Sequence, residues 1–84
     1  MARFDPITTP LTGCVLTEAN QLAALSTLPG PFSLPELAAA ICRQLPLRYS
    51  TQSGRLAEAA LHHWHHRGIV DHAGLRDGLP LYRR

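Results

Sequence analysis

The stretch "YSTQSGRLAEAALHHWHHRGIV", residues 49–70, decides how this chain is read, because a regular apolar spacing runs between start and stop signals. Ser50, Thr51 and Ser53 are each suited to cap a helix, and Gly68 stands where a helix ends in a left-handed turn. The spacing predicts a helix over 51–67. At about 100° per residue, Leu56, Ala57, Ala60, Leu61 and Trp64 share one side. Arg48 (if its turn is helical), Thr51, Gln52, Arg55, Glu58, His62 and His66 share the other. One face is built to pack and the other to stay wet.

The histidines around Trp64 raise the question of a metal. Glu58, His62 and His65 or His66 are spaced to face one ion. A closed zinc site needs a further ligand, and nothing in the sequence places His72, Cys42 or Cys14 beside the others. The plainer reading is that exposed histidines late in a helix sit well near its negative end, with Trp64 in the core.

Upstream, "PFSLPELAAAICRQLP" (31–46) carries the clearest local signal. Ser33 and Glu36 have capping-box spacing, Phe32 and Leu37 staple spacing, and Pro35 is tolerable in a first turn. A second helix therefore starts near Leu34, and Leu34, Leu37, Ala38, Ile41 and Leu45 form one stripe ending at Pro46. Before it, "TEANQLAALSTL" (17–28) offers Thr17 as N-cap and Ala19, Leu22, Ala23 and Leu25 or Leu28 as an apolar face, stopped by Pro29-Gly30-Pro31. Residues 1–16 read as an arm with apolar anchors Phe4, Ile7, Leu11 and Val15, leaving 17–84 as the domain proper. Downstream, "IVDH" and "LPLYRR" are β-leaning runs separated by "AGLRDG", a small hairpin in which Pro80 restricts its strand to an edge or to its first residues.

With 84 residues, 45 % hydrophobic and 17 % charged, the chain suits one small folded domain with a thin core. Its apolar runs are too short for a membrane span, and "MARFDPITTP" lacks a signal-peptide core, so the cytoplasm is the expected compartment. Cys14 and Cys42 have no paired spacing, and no disulfide is assigned to them. The net charge of +2 is unevenly placed. Residues 1–40 hold Arg3 against Asp5, Glu18 and Glu36, a balance of −2. Residues 41–84 hold seven arginines against Glu58, Asp71 and Asp77, a balance of +4, and all five histidines. Arginine without lysine suits bidentate phosphate or guanine contacts, although genome composition alone produces the same bias.

Helix, short extended "PFS", helix, turn, longer helix, then a hairpin: in this order the sequence resembles the winged helix-turn-helix family, as in small bacterial, phage or plasmid repressors. The likeness is sharpest over 31–72, where "FSLPELAAAI" looks like the motif's first helix and "YSTQSGRLAEAALHHWHHRGIVDH" like a recognition helix running into a wing strand. The connector "RQLPLRYST" is longer than a tight turn, and the third helix is about one turn longer than usual. The fold implied is mainly α, three helices with a two- to three-stranded sheet.

That resemblance implies a transcriptional regulator bound to double-stranded DNA, its third helix in the major groove and its wing (69–84) on backbone or minor groove. Gln52 and Arg55 would read bases, while Ser50, Thr51 and Ser53 lie near a helix start that favours phosphate. Arg48 would approach the backbone from the connector, His62 would lie near a phosphate, Arg76 would stand at the wing tip, and Arg83 and Arg84 would extend the basic surface. In the plainer reading Gln52 and Arg55 are solvated, Arg55 pairing with Glu58. One helix reads a half-site, so a homodimer is expected, joined through the first helix or the arm. Two alternatives stay open: a winged-helix protein-interaction module that binds no DNA, and a metal-responsive regulator using the histidines. No phosphate loop, nucleophile elbow or paired carboxylates point to an enzyme, and no cofactor or small-molecule substrate is expected.

Overall fold

A computed structural model describes residues 4–8, 15–45 and 52–84. Among these residues the elements run β1 (Ile7–Thr8), β2 (Val15–Leu16), α1 (Glu18–Ser26), β3 (Phe32–Ser33), α2 (Leu34–Cys42), α3 (Ser53–His66), β4 (Asp71–Arg76) and β5 (Leu79–Arg83). They form three helices and two small antiparallel sheets, β1-β2 and β3-β5-β4.

Each helix begins or ends for a local reason. Thr17 caps α1, its Oγ1 accepting from Asn20 N at 3.2 Å. Ser33 and Glu36 close a reciprocal box at the start of α2, which satisfies backbone donors that a helix start leaves orphaned. Phe32 and Leu37, the flanking staple pair, are both buried in the main core. α2 ends at Cys42, a turn earlier than the stripe to Leu45 suggests. Cys42 is a half-buried free thiol. α3 stops at Gly68, whose φ of 75° carries the chain into the left-handed region. There Gly68 N donates to His65 O and Ile69 N to Trp64 O, capping two last-turn carbonyls.

Leu56, Ala57, Ala60, Leu61 and Trp64, the side of α3 expected to pack, are its five buried residues. Opposite them lie Leu37, Ala40 and Ile41 of α2 within one continuous cluster. α1 departs from expectation. Ala19 and Leu22 are exposed, while its buried residues are Ala24, Leu25 and the polar Gln21. The glutamine is tolerated in the core because its amide is fully engaged: Trp64 Nε1 donates to Oε1 at 2.8 Å, and Nε2 donates to Asp5 O at 2.7 Å and Leu16 O at 3.1 Å.

Through those two carbonyls the N-terminal segment is joined to the core. Ile7 pairs with Leu16 across β1-β2, both side chains enter the core, and the Phe4 ring meets Trp64 edge-on at 6.2 Å. Of the remaining arm anchors, Val15 is exposed and Leu11 lies outside the described residues.

The hairpin differs from expectation in its turn. Gly74 lies within β4, beside a register shift between His72 and Gly74, and the tight turn is Asp77-Gly78. Both turn residues have positive φ, 52° and 82°, the backbone that two-residue hairpins require. Ile69 and Val70 are buried ahead of β4 and do not belong to it. Pro80 lies in the central strand β5, yet at its second residue, while β3 pairs only with Leu81 and Tyr82. Leu79 opposite Arg76 closes the turn, so the Pro80 nitrogen points to the side that β3 does not reach. No helix among the described residues is long and apolar enough to cross a membrane.

Candidate nucleic-acid interface

The outward face of α3 follows from its inward one. Once Leu56 and Trp64 are buried, helical geometry turns Arg55, Glu58, His62 and His66 outward, and all four are exposed. Arg55 has no ion pair among the described residues, so the contact with Glu58 that its spacing allows does not form. Gln52 occupies the N-cap position in helical conformation, half-buried, with no side-chain capping bond. Ser53 is the first residue of α3 and also half-buried. Arg48, Ser50 and Thr51 lie outside the described residues.

The hairpin arginines are placed differently from one another. Arg76 ends β4 directly beside the Asp77-Gly78 turn, and its Nη1 donates to Glu36 Oε1 at 3.1 Å, tying the hairpin to the start of α2. The same carboxylate oxygen accepts from Ser33 N and Ser33 Oγ, so one glutamate links cap and hairpin. More than half of the Arg76 side chain is exposed, and such a pair contributes only about 0–1 kcal/mol, so it could open for another anion. Arg83 is exposed on β5 opposite Asp71, and the Arg84 guanidinium lies 5.7 Å from the Phe4 ring centroid. Arg67, which the sequence did not single out, pairs with Asp5 at 2.6 Å and fastens the end of α3 to the segment before β1.

Between α3 and the hairpin lies a cleft of about 380 Å³. Leu34 and Leu61 give it an apolar wall; Glu58, His62 and His65 come from α3, His72 from β4 and Tyr82 from β5. Tyr82 meets His65 and His72 edge-on, at 6.4 and 5.6 Å. The pairing of His72 with Tyr82 and of Leu75 with Pro80 puts all four on one face of the hairpin. This cleft is not visible in the linear sequence, because it depends on a hairpin register that the bulge shifts. The dipeptide Asp77-Gly78 was the available signal for that register.

Lining one cleft does not make these histidines a metal centre among the described residues. His62 and His66 stack at 6.5 Å with ring planes 12° apart, and no group of three or more His, Cys, Asp or Glu among the described residues is placed to hold a metal ion. His63 is half-buried on another side of α3, its Nε2 enclosed without a hydrogen-bond partner among the described residues. No family model matches the chain, and comparison with curated proteins and with solved structures gives no match either.

Proposed function

We propose that this chain is a sequence-specific DNA-binding regulator of winged helix-turn-helix type, with α3 in the major groove and the β4–β5 hairpin as its wing. The observation that carries this reading is the division of α3. Five residues are fixed in the core, and the opposite face presents Arg55, His62 and His66 to solvent beside a hairpin. The element order supports it further: β3, between α1 and α2, closes onto β5 and makes the hairpin part of a three-stranded sheet.

In that arrangement Arg55 reads a base edge, a contact that would contribute about 1–3 kcal/mol of discrimination, and Gln52 lies one turn earlier. Arg83, and Arg76 once released from Glu36, approach the backbone. A single such helix reads a half-site, so two copies bind together, joined through α1 or the N-terminal segment. The regulator works in the cytoplasm, where its DNA is.

A second reading has an observation of its own. Leu75 is 68 % exposed and Leu79 46 % exposed, two large apolar side chains beside Arg76 and Asp77 at the end of the hairpin. That favours a protein-interaction module whose hairpin inserts into a partner. Selection of bound fragments from random duplex DNA, with sequencing, separates the two. A regulator enriches a two-fold-related motif, and its affinity falls steeply with salt. An interaction module enriches nothing.

A further inference from the structure

The geometry points to the cleft between α3 and the hairpin as a phosphate seat, in which His62, His65 and His72 line the space around a whole phosphate group and take up protons from solvent as it binds. This rests in part on the DNA reading, where the anion is a backbone phosphodiester. Three imidazoles from two separate elements line one cleft, with the Tyr82 side chain beside them. His65 and His72 each meet the Tyr82 ring in a T-shaped arrangement, which gathers the two imidazoles around one side chain. Leu34 and Leu61 add apolar surface to the same cleft, which lowers the competition from water for whatever anion enters.

The surrounding charges fit proton uptake. From α3 come Glu58, His62 and His65, with His66 stacked on His62 and Arg55 one turn earlier; from β4 comes His72; from β5 comes Tyr82; α2 contributes the uncharged Leu34. Asp71 and Arg83, paired across the strands, lie on the other face of the hairpin. Among the described residues Glu58 is the one carboxylate lining the cleft, and it would repel an anion unless neighbouring imidazoles are charged. Imidazole is the side chain whose charge changes within the physiological pH range. The seat is therefore closed to phosphate when the histidines are neutral and open when they are protonated. Each proton taken up with the anion changes affinity by up to about tenfold per pH unit.

The test is a titration of the five imidazoles by NMR in the intact chain between pH 5 and 8, alone, with inorganic phosphate and with a selected duplex at constant ionic strength, signals being assigned from single His→Gln variants. The expected result is that duplex and phosphate both raise the titration midpoints of His62, His65 and His72, leave His63 in place, and that duplex affinity is about tenfold or more higher at pH 6 than at pH 8. If the duplex binds and those three midpoints stay where they were, the seat is wrong and the DNA reading stands. If phosphate moves them and no duplex binds at any pH, the seat stands as a site for free phosphate and the DNA reading falls. If neither ligand moves them and no duplex binds, both are overturned.

Discussion

The two flanks of α3 are held in opposite ways. Towards α1 and the N-terminal strands, Trp64 is fully buried, its indole nitrogen bonded to Gln21, whose amide in turn closes on Asp5 O and Leu16 O. Towards the hairpin, His65 meets Tyr82 edge-on beside an open cleft, and the ion pair that ties the hairpin down is solvent-exposed. One flank spends its polar groups on the fold; the other leaves them unspent. A small domain with a thin core cannot distribute stability evenly, and concentrating it on one side frees the other for chemistry.

The largest effect that separates the flanks is expected at Trp64. Trp64→Ala should cost about 3–5 kcal/mol, through lost burial and through the Gln21 amide left without its donor. A urea melt checks it, and a loss under about 1 kcal/mol would mean that the Trp64 side is not where stability resides. Next is Gln21→Leu. Its volume is close to that of glutamine, but it strands the indole N–H and two backbone carbonyls, so about 2–3 kcal/mol should be lost in the same assay. An unchanged melt would show those groups finding water instead. Smaller still is Ser33→Ala, which removes the cap of α2 and one of the groups on Glu36; about 1 kcal/mol is expected by thermal denaturation.

What the sequence reveals of this molecule follows repetition. The five buried positions of α3 recur at helical spacing, and the caps at Thr17 and Ser33 and the stop at Gly68 are single residues with one mechanical use each. Gln21 was hidden for the opposite reason. Its burial depends on a carbonyl sixteen positions away in sequence and an indole forty-three positions away, and no local pattern records either. β1 and β2, two residues each, are too short to show an alternation. Two glycines in "AGLRDG" blurred the turn, and with it the register that brings His72 and Tyr82 to His65. Of the candidate site, Arg55, His62 and the hairpin arginines were legible as charges on a wet face. The ion pair holding Arg76 was not, since Glu36 is accounted for locally by its cap.

The central claim is that the exposed face of α3 reads DNA independently of the flank that holds the fold. Arg55→Ala tests it most directly, measured by fluorescence anisotropy on the selected duplex and a scrambled one, with a thermal melt of the same sample. The expected result is loss of the preference between the two duplexes, about tenfold or more, with stability within about 0.5 kcal/mol of the parent. An undiminished preference in a folded variant, or parent binding that does not weaken with salt, would contradict it.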